Sequence, residues 1–202
     1  MMIMRKTMTV FDGIIFDMDG TLTVPILDFN QIRREIGIPK TEPVWEAIVA
    51  MEPEARRRAE EILLQHELRS SRECELQPGA AELFSELEKR GTKVAVLTRN
   101  CRAAWETLRE RFGFPFKMVY AREDGPMKPD PTPVFVLAKQ MDLPLTKILC
   151  VGDYLFDIQA GKAAGTKTAL LVNHGKIPPF AGEADFVIHQ LLDLLAIIDG
   201  IC

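Results

Sequence analysis

The sequence predicts an α/β protein, a parallel sheet covered by helices on both faces and interrupted after its first strand by a small helical insertion. Three observations carry this expectation. Short apolar runs lead up to Asp17, Thr98 and Asp153, and each is followed by a segment of helical periodicity. Glycines close those helical segments at Gly91, Gly113 and Gly165. Residues 24–77 break the alternation with charge-rich, purely helical patterning. Strands separated by helices need crossover connections, and crossovers of one hand give a parallel, doubly covered sheet. The resulting expectation is a Rossmann-like core formed by residues 1–23 and 78–202.

The first strand ends in Phe16-Asp17-Met18-Asp19-Gly20-Thr21. Within the insertion, Asp28 and Gln31 have capping-box spacing, and Phe29, Ile32 and Ile36 recur at helical spacing until Gly37. Pro43 suits a helix's first turn ahead of Val44, Ile48 and Met51. Residues 53–68 form the longest predicted helix, with Ala55, Ala59, Ile62 and Leu63 as its apolar stripe, flanked by Arg56, Arg57, Arg58, Glu60 and Glu61. Pro78 and Gly79 end the insertion. Helix 80–90, the strand to Thr98, helix 102–112 and a short strand over 117–121 follow. A loop then holds Lys128, before helix 132–141, the strand to Val151, helix 155–164 and a strand over 167–172. An edge strand over 185–188 and a last helix over 191–198 complete the prediction.

The chain's 202 residues, 47% of them hydrophobic, suffice for one packed core and a modest appendage. A formal net charge of −4 argues against a nucleic-acid or membrane-surface binder, which needs a basic face. Cys74, Cys101, Cys150 and Cys202 are scattered without a Cys-x-x-Cys pair, so they read as free thiols in a reducing compartment. Arg5 and Lys6 precede only a short apolar run, so no signal peptide is read, and the expected location is the cytoplasm. Monomer and homodimer are both open.

Side chains two apart on a strand share a face, so Asp17 and Asp19 are able to address one metal or one phosphoryl group. Open α/β sheets bind ligands beyond the carboxyl ends of their strands, which should bring Asp17, Thr98, Asp153 and Asp157 together. Each piece alone has a plain reading. Asp153 and Asp157 suit helix capping and first-turn charge, a loop lysine is ordinarily solvated, and the Arg56 to Arg58 run is ordinarily a charged surface. Trp45 and His66 read as packing or helix-surface residues.

Taken in order, Asp17-Met-Asp-Gly-Thr21, Thr98, Lys128-Pro-Asp-Pro131 and Gly152-Asp153-x-x-x-Asp157 resemble the four motifs of the haloacid dehalogenase-like (HAD) hydrolase superfamily. The type is that of its phosphatases, similar to phosphoglycolate phosphatase and β-phosphoglucomutase relatives. The resemblance implies that the insertion, residues 24–77, is a helical cap, though it is short for that cap type. It implies a phosphatase acting on a small phosphorylated metabolite, with Asp17 as nucleophile and Asp19 as general acid and then base. Thr98, with backbone groups near Arg99 and Asn100, would hold the phosphoryl group, Lys128 would neutralise charge, and Arg99 would reach the rest of the substrate. Mg²⁺ suits hard oxygen donors, which Asp17, Asp153, Asp157 and the backbone carbonyl of Asp19 would supply. Two alternatives stay open at this stage, a sugar phosphomutase of the β-phosphoglucomutase type and a non-catalytic binding or regulatory protein that kept the fold. Specificity is expected from cap residues and from the loops around Arg99 and His174.

Overall fold

The computed structural model describes residues 10–173 and 175–201, so Arg5, Lys6, His174 and Cys202 lie outside the described residues. The chain divides into two compact units. The first comprises the chain up to Val24, Glu75–Arg99, and the chain from Pro115 onward; the second comprises Pro25–Cys74 and Asn100–Phe114.

The first unit is a parallel sheet of β1 (Gly13–Phe16), β2 (Lys93–Leu97), β3 (Met118–Tyr120), β4 (Ile148–Gly152), β5 (Lys167–Leu171) and β6 (Phe186–Ile188), in the order β3-β2-β1-β4-β5-β6. The chain builds outward from β1 on one side through β2 and β3, then returns to its other side for β4, β5 and β6. The order therefore reverses next to β1, which is where such sheets open a crevice at their carboxyl ends. Register is set by Gly13 opposite both Lys93 and Ile148, and by Phe16 opposite both Val96 and Val151.

Every residue of β1 and β4 is buried, as a strand covered on both faces requires. On one face Ile15, Leu97, Ile148 and Cys150 pack with Val134, Leu137 and Met141 of one helix (Thr132–Met141) and Ala160 and Ala164 of another (Leu155–Ala164). On the other, Phe16 meets Phe84 of a third helix (Ala80–Arg90) edge to face, with ring centroids 6.2 Å apart. Fully burying one such side chain stabilises the fold by about 1.5–3 kcal/mol. Asp193–Ile198 is the last helix among the described residues, and the capping glycines Gly91, Gly113 and Gly165 each close a helix in the left-handed region.

The second unit is wholly helical. It contains α1 (Phe29–Ile36), α2 (Val44–Val49), α3 (Pro53–Glu73) and, returning later in the chain, Arg102–Phe112, which becomes α5 when Ala80–Arg90 is counted as α4. By the same count Thr132–Met141, Leu155–Ala164 and Asp193–Ile198 are α6, α7 and α8. Ile32, Val44, Ile48, Ala59 and Leu63 form the core, with Ile36, Trp45 and Met51 packed around it.

Four features differ from the sequence expectation. Asp28 caps α1 by accepting from the amides of Asn30 and Gln31 at 2.9 Å, but Gln31 does not reach back, because its amide donates to Glu35 one turn on. Phe29, placed on the apolar face by its spacing, is exposed, with the Arg33 guanidinium 5.9 Å from its ring centroid. Helix α3 runs to Glu73, beyond residue 68, because its buried face continues in polar side chains, His66, Glu67, Ser70 and Ser71, which hydrophobic periodicity does not register. Helix α5 groups with the helical unit although it follows a strand in sequence. Its Trp105 is fully buried and stacks on Phe114, and Arg111 donates to the Cys74 and Ser71 carbonyls at the end of α3.

Candidate active site

Strand β1 delivers its last backbone hydrogen bond through the Asp17 amide, which donates to the Val151 carbonyl of β4 at 2.8 Å. The chain beyond then folds over on itself. Met18 is buried while Asp17 and Asp19 on either side are half-buried, and the Met18 carbonyl accepts from the Leu22 and Thr23 amides. Gly20 sits at φ +92°, and a Cβ there would lie 2.2 Å from Asp153 Oδ2, so both the turn and the neighbouring acid demand glycine. The Gly20 carbonyl is held by Gln77 Nε2 at 3.0 Å and by Asn173 Nδ2. The Thr21 hydroxyl is fully buried and has no hydrogen-bond partner.

Asp153 follows β4, and Asp157 sits in the first turn of α7. A Cβ on Gly152 would fall 2.2 Å from Asp157 Cβ, so the absence of a side chain there is what lets Asp157 lie against the strand end. Ligand atoms of Asp17, Asp153 and Asp157 all lie within 4.8 Å of one another. Into this group comes Lys128, only 4% exposed, with its ammonium 2.5 Å from Asp17 Oδ1 and 2.5 Å from Asp157 Oδ1. The second Asp157 oxygen accepts from the Tyr154 amide at 3.0 Å. Both oxygens of Asp157 thus have protein partners.

The electrostatics are unbalanced, three carboxylates against one ammonium. Burial pushes the Asp17 carboxyl well above its usual range, against the attraction of Lys128, and the charges on Asp157 and Asp153 push the same way. Asp153 is raised to about 7 by burial, then by Asp157, with Asp19 adding to it. For Lys128, burial favours the neutral amine, but the attraction of Asp157 and Asp17 and the hydrogen bonds they accept outweigh it, so its pKa rises. A buried excess of negative charge is a demand for a further cation. The donor set fits a hard divalent ion, since the three acids offer carboxylate oxygens and the set holds neither imidazole nor thiolate. Nearby Cys150 lines the same small cavity as Asp17 and Lys128, and burial pushes its thiol up to about 12.

Thr98 is buried at the end of β2, where its amide donates to the Tyr120 carbonyl at 3.0 Å. Arg99 Nη1 donates to the Lys128 carbonyl at 2.6 Å, and its guanidinium lies 5.1 Å from the Phe156 ring centroid. Arg99 therefore braces the loop that carries Lys128. Asn100 belongs to the second unit, where its side-chain oxygen accepts from the Cys101 amide at 2.7 Å, at the start of α5. Four residues were not singled out as site residues by sequence reasoning: Gly152, Gln77, Asn173 and Phe156. Only Gly152 carried a local signal, by standing between an apolar strand and an acid.

In the helical unit, His66 is buried with Nε2 2.8 Å from Glu35 Oε2 and Nδ1 3.1 Å from Arg69 Nη2, so it joins α1 to α3. Arg56 pairs with Glu60 and Arg58 with Glu54 on the exposed side of α3, the ordinary pattern of a solvated face.

Comparison with known proteins agrees with the motif order. Residues 23–171 match the haloacid dehalogenase-like hydrolase family, and the chain belongs to it. A haloacid dehalogenase-like hydrolase domain-containing protein of Arabidopsis thaliana is 32% identical over 179 residues, covering 83% of this chain and 73% of that protein. The N-acetylmuramic acid 6-phosphate phosphatase of Pseudomonas putida is 31% identical over 217 residues, covering 93% of this chain and 96% of that protein. Among solved structures, a hydrolase from Pseudomonas syringae superposes with a TM-score of 0.77 at 22% identity, over 95% of this chain and 99% of that one, a likeness of fold. The chain is thus an HAD-family hydrolase with phosphatases among its relatives. Among the described residues, no helix is long and apolar enough to cross a membrane.

Proposed function

We propose that the protein is a Mg²⁺-dependent phosphatase that hydrolyses a small phosphomonoester metabolite through a covalent phosphoryl group on Asp17. The observation that carries this reading is the buried Lys128 ammonium, held between Asp17 and Asp157 with Asp153 alongside. Phosphoryl transfer to a carboxylate requires an anionic nucleophile to approach an anionic ester, and a fixed cation between them lowers that repulsion.

Asp17 attacks phosphorus, and the bond to the leaving oxygen breaks. Asp19 gives that oxygen its proton, then takes one from the water that cleaves the aspartyl-phosphate and restores Asp17. The Thr98 hydroxyl donates to a phosphoryl oxygen. Lys128 offsets the charge on Asp17 and on the transferred group, while Asp157, with both oxygens engaged, acts chiefly by holding Lys128 in place. Mg²⁺, held by Asp17, Asp153 and the Asp19 carbonyl, would add positive charge beside the phosphoryl oxygens. Residues 24–77 are assigned the role of a cap domain to a core of residues 1–23 and 78–202, with the N-acetylmuramic acid 6-phosphate phosphatase among the relatives favouring a phosphorylated metabolite as substrate.

The test is phosphate release from a panel of phosphorylated metabolites with Mg²⁺, for the wild type, for Asp17→Asn and with EDTA. Turnover is expected to fall by at least about a thousandfold in Asp17→Asn and to vanish with EDTA. Substantial activity in Asp17→Asn would overturn the nucleophile assignment.

A further inference from the structure

The residue that follows Asp153 is a tyrosine, and its surroundings are unlike those of a stray surface aromatic. The Tyr154 amide is fixed by its bond to Asp157 at 3.0 Å. Its ring meets Phe156 edge to face at 5.1 Å between centroids and Phe180, from the loop after β5, at 6.0 Å. Phe156 in turn lies under the Arg99 guanidinium at 5.1 Å, and Arg99 holds the carbonyl of Lys128. Three aromatic rings and a cation are thus tied to the acid and lysine cluster from two sides. Yet Tyr154 remains 55% exposed. Single exposed apolar residues are unremarkable in proteins. Here two rings hold a third in place while leaving much of it open, one residue from a site carboxylate, which is how a preorganised binding face is built.

We propose that Tyr154, supported by Phe156 and Phe180, is a stacking platform for the leaving group. The substrate class is then phosphomonoesters whose alcohol carries a ring, either a sugar, through its C–H face, or a nucleoside, through its base. Short ringless alcohols are disfavoured. The inference rests on the phosphatase reading and gives that reading its specificity.

The test compares kcat/KM for glucose 6-phosphate, adenosine 5′-monophosphate and glycerol 3-phosphate in the wild type, Tyr154→Ala and Tyr154→Phe, using the full chain with Mg²⁺. The ratio of ring to ringless kcat/KM is expected to fall about three- to tenfold in Tyr154→Ala, chiefly through KM, and to be restored in Tyr154→Phe. Which of the two ring substrates loses more identifies the sugar or the nucleoside as the source. A ratio equal in all three proteins, or an equal loss on every substrate, overturns the platform and leaves the phosphatase standing. A wild type that releases phosphate from none of the panel overturns both. Matching circular dichroism melts establish that a loss of ratio is not a loss of fold.

Discussion

Two ionic clusters, one in each unit, use the same kinds of residue to opposite ends. In the helical unit, His66, Glu35 and Arg69 join α1 to α3, and Glu35, exposed to water, has its carboxyl held below the usual range first by the His66 hydrogen bond and then by that of Gln31. In the sheet unit, burial drives Asp17 and Asp153 upward, and Lys128 does not offset the three acids around it. In the first cluster the charges pair across two helices; in the second they are left unbalanced, a pattern that functional sites commonly share.

The contrast is broken most forcibly at Lys128. Lys128→Ala leaves the half-buried Asp17 and the buried Asp157 without their shared cation. It is expected to cost about 3–5 kcal/mol in denaturant unfolding and at least about a hundredfold in kcat; near-wild-type kcat would remove Lys128 from the chemistry. Gly152→Ala comes next. It keeps every charge but drives a methyl group into Asp157, and it should cost about 1–3 kcal/mol through overpacking while lowering turnover and leaving the overall far-UV circular dichroism unchanged at about 25 °C. Retention of full turnover would show that the position of Asp157 is not critical.

A subtler effect is the pH dependence carried by Asp153. Its folded value of about 7 lies above the ordinary 3.8, so its contribution favours folding fully below about pH 4 and is lost as pH rises through 7. In EDTA, the difference in Tm between wild type and Asp153→Asn should therefore change steadily over that interval, with the wild type losing ground as pH rises. Mg²⁺ at pH 7 should raise the wild-type Tm more than that of the variant. A difference independent of pH would contradict the raised Asp153. The smallest effect is expected in the helical unit. Glu35→Gln, at the exposed end of a pair with the buried His66, should lower Tm modestly and leave kcat within about twofold, and a large fall in kcat would show that the two clusters are not as separate in role as their charges are.

The strands and their glycine-stopped helices were legible because each is a local pattern, an apolar run or a helical stripe closed by a residue that tolerates positive φ. The helical tail of α3 was not legible, since burial there falls on polar residues, His66, Glu67, Ser70 and Ser71; His66 meets Glu35 and Arg69 and the Ser71 hydroxyl donates to the Leu68 carbonyl, partners that composition does not encode. Nor was the allegiance of α5, which depends on where Trp105 and Arg111 find partners. Motif order pointed to Asp17, Asp153 and Lys128 as neighbours. It said nothing of Gly20 and Gly152 as the spaces that admit two acids, or of Asp157 answering to both Lys128 and the Tyr154 amide.

The placing of β1 has a consequence for how the molecule comes to exist. It is the first strand among the described residues and lies in the middle of the sheet, with Gly13 paired to Lys93 on one side and to Ile148 on the other. During synthesis its apolar Gly13–Phe16 segment emerges with neither edge covered, and contacts so distant in sequence form slowly. A chain that stops before β4 therefore possesses Asp17 but lacks Asp153 and Asp157. The carboxylate cluster is thus a late product of synthesis, assembled only when β4 and the first turn of α7 have been made and docked beside β1.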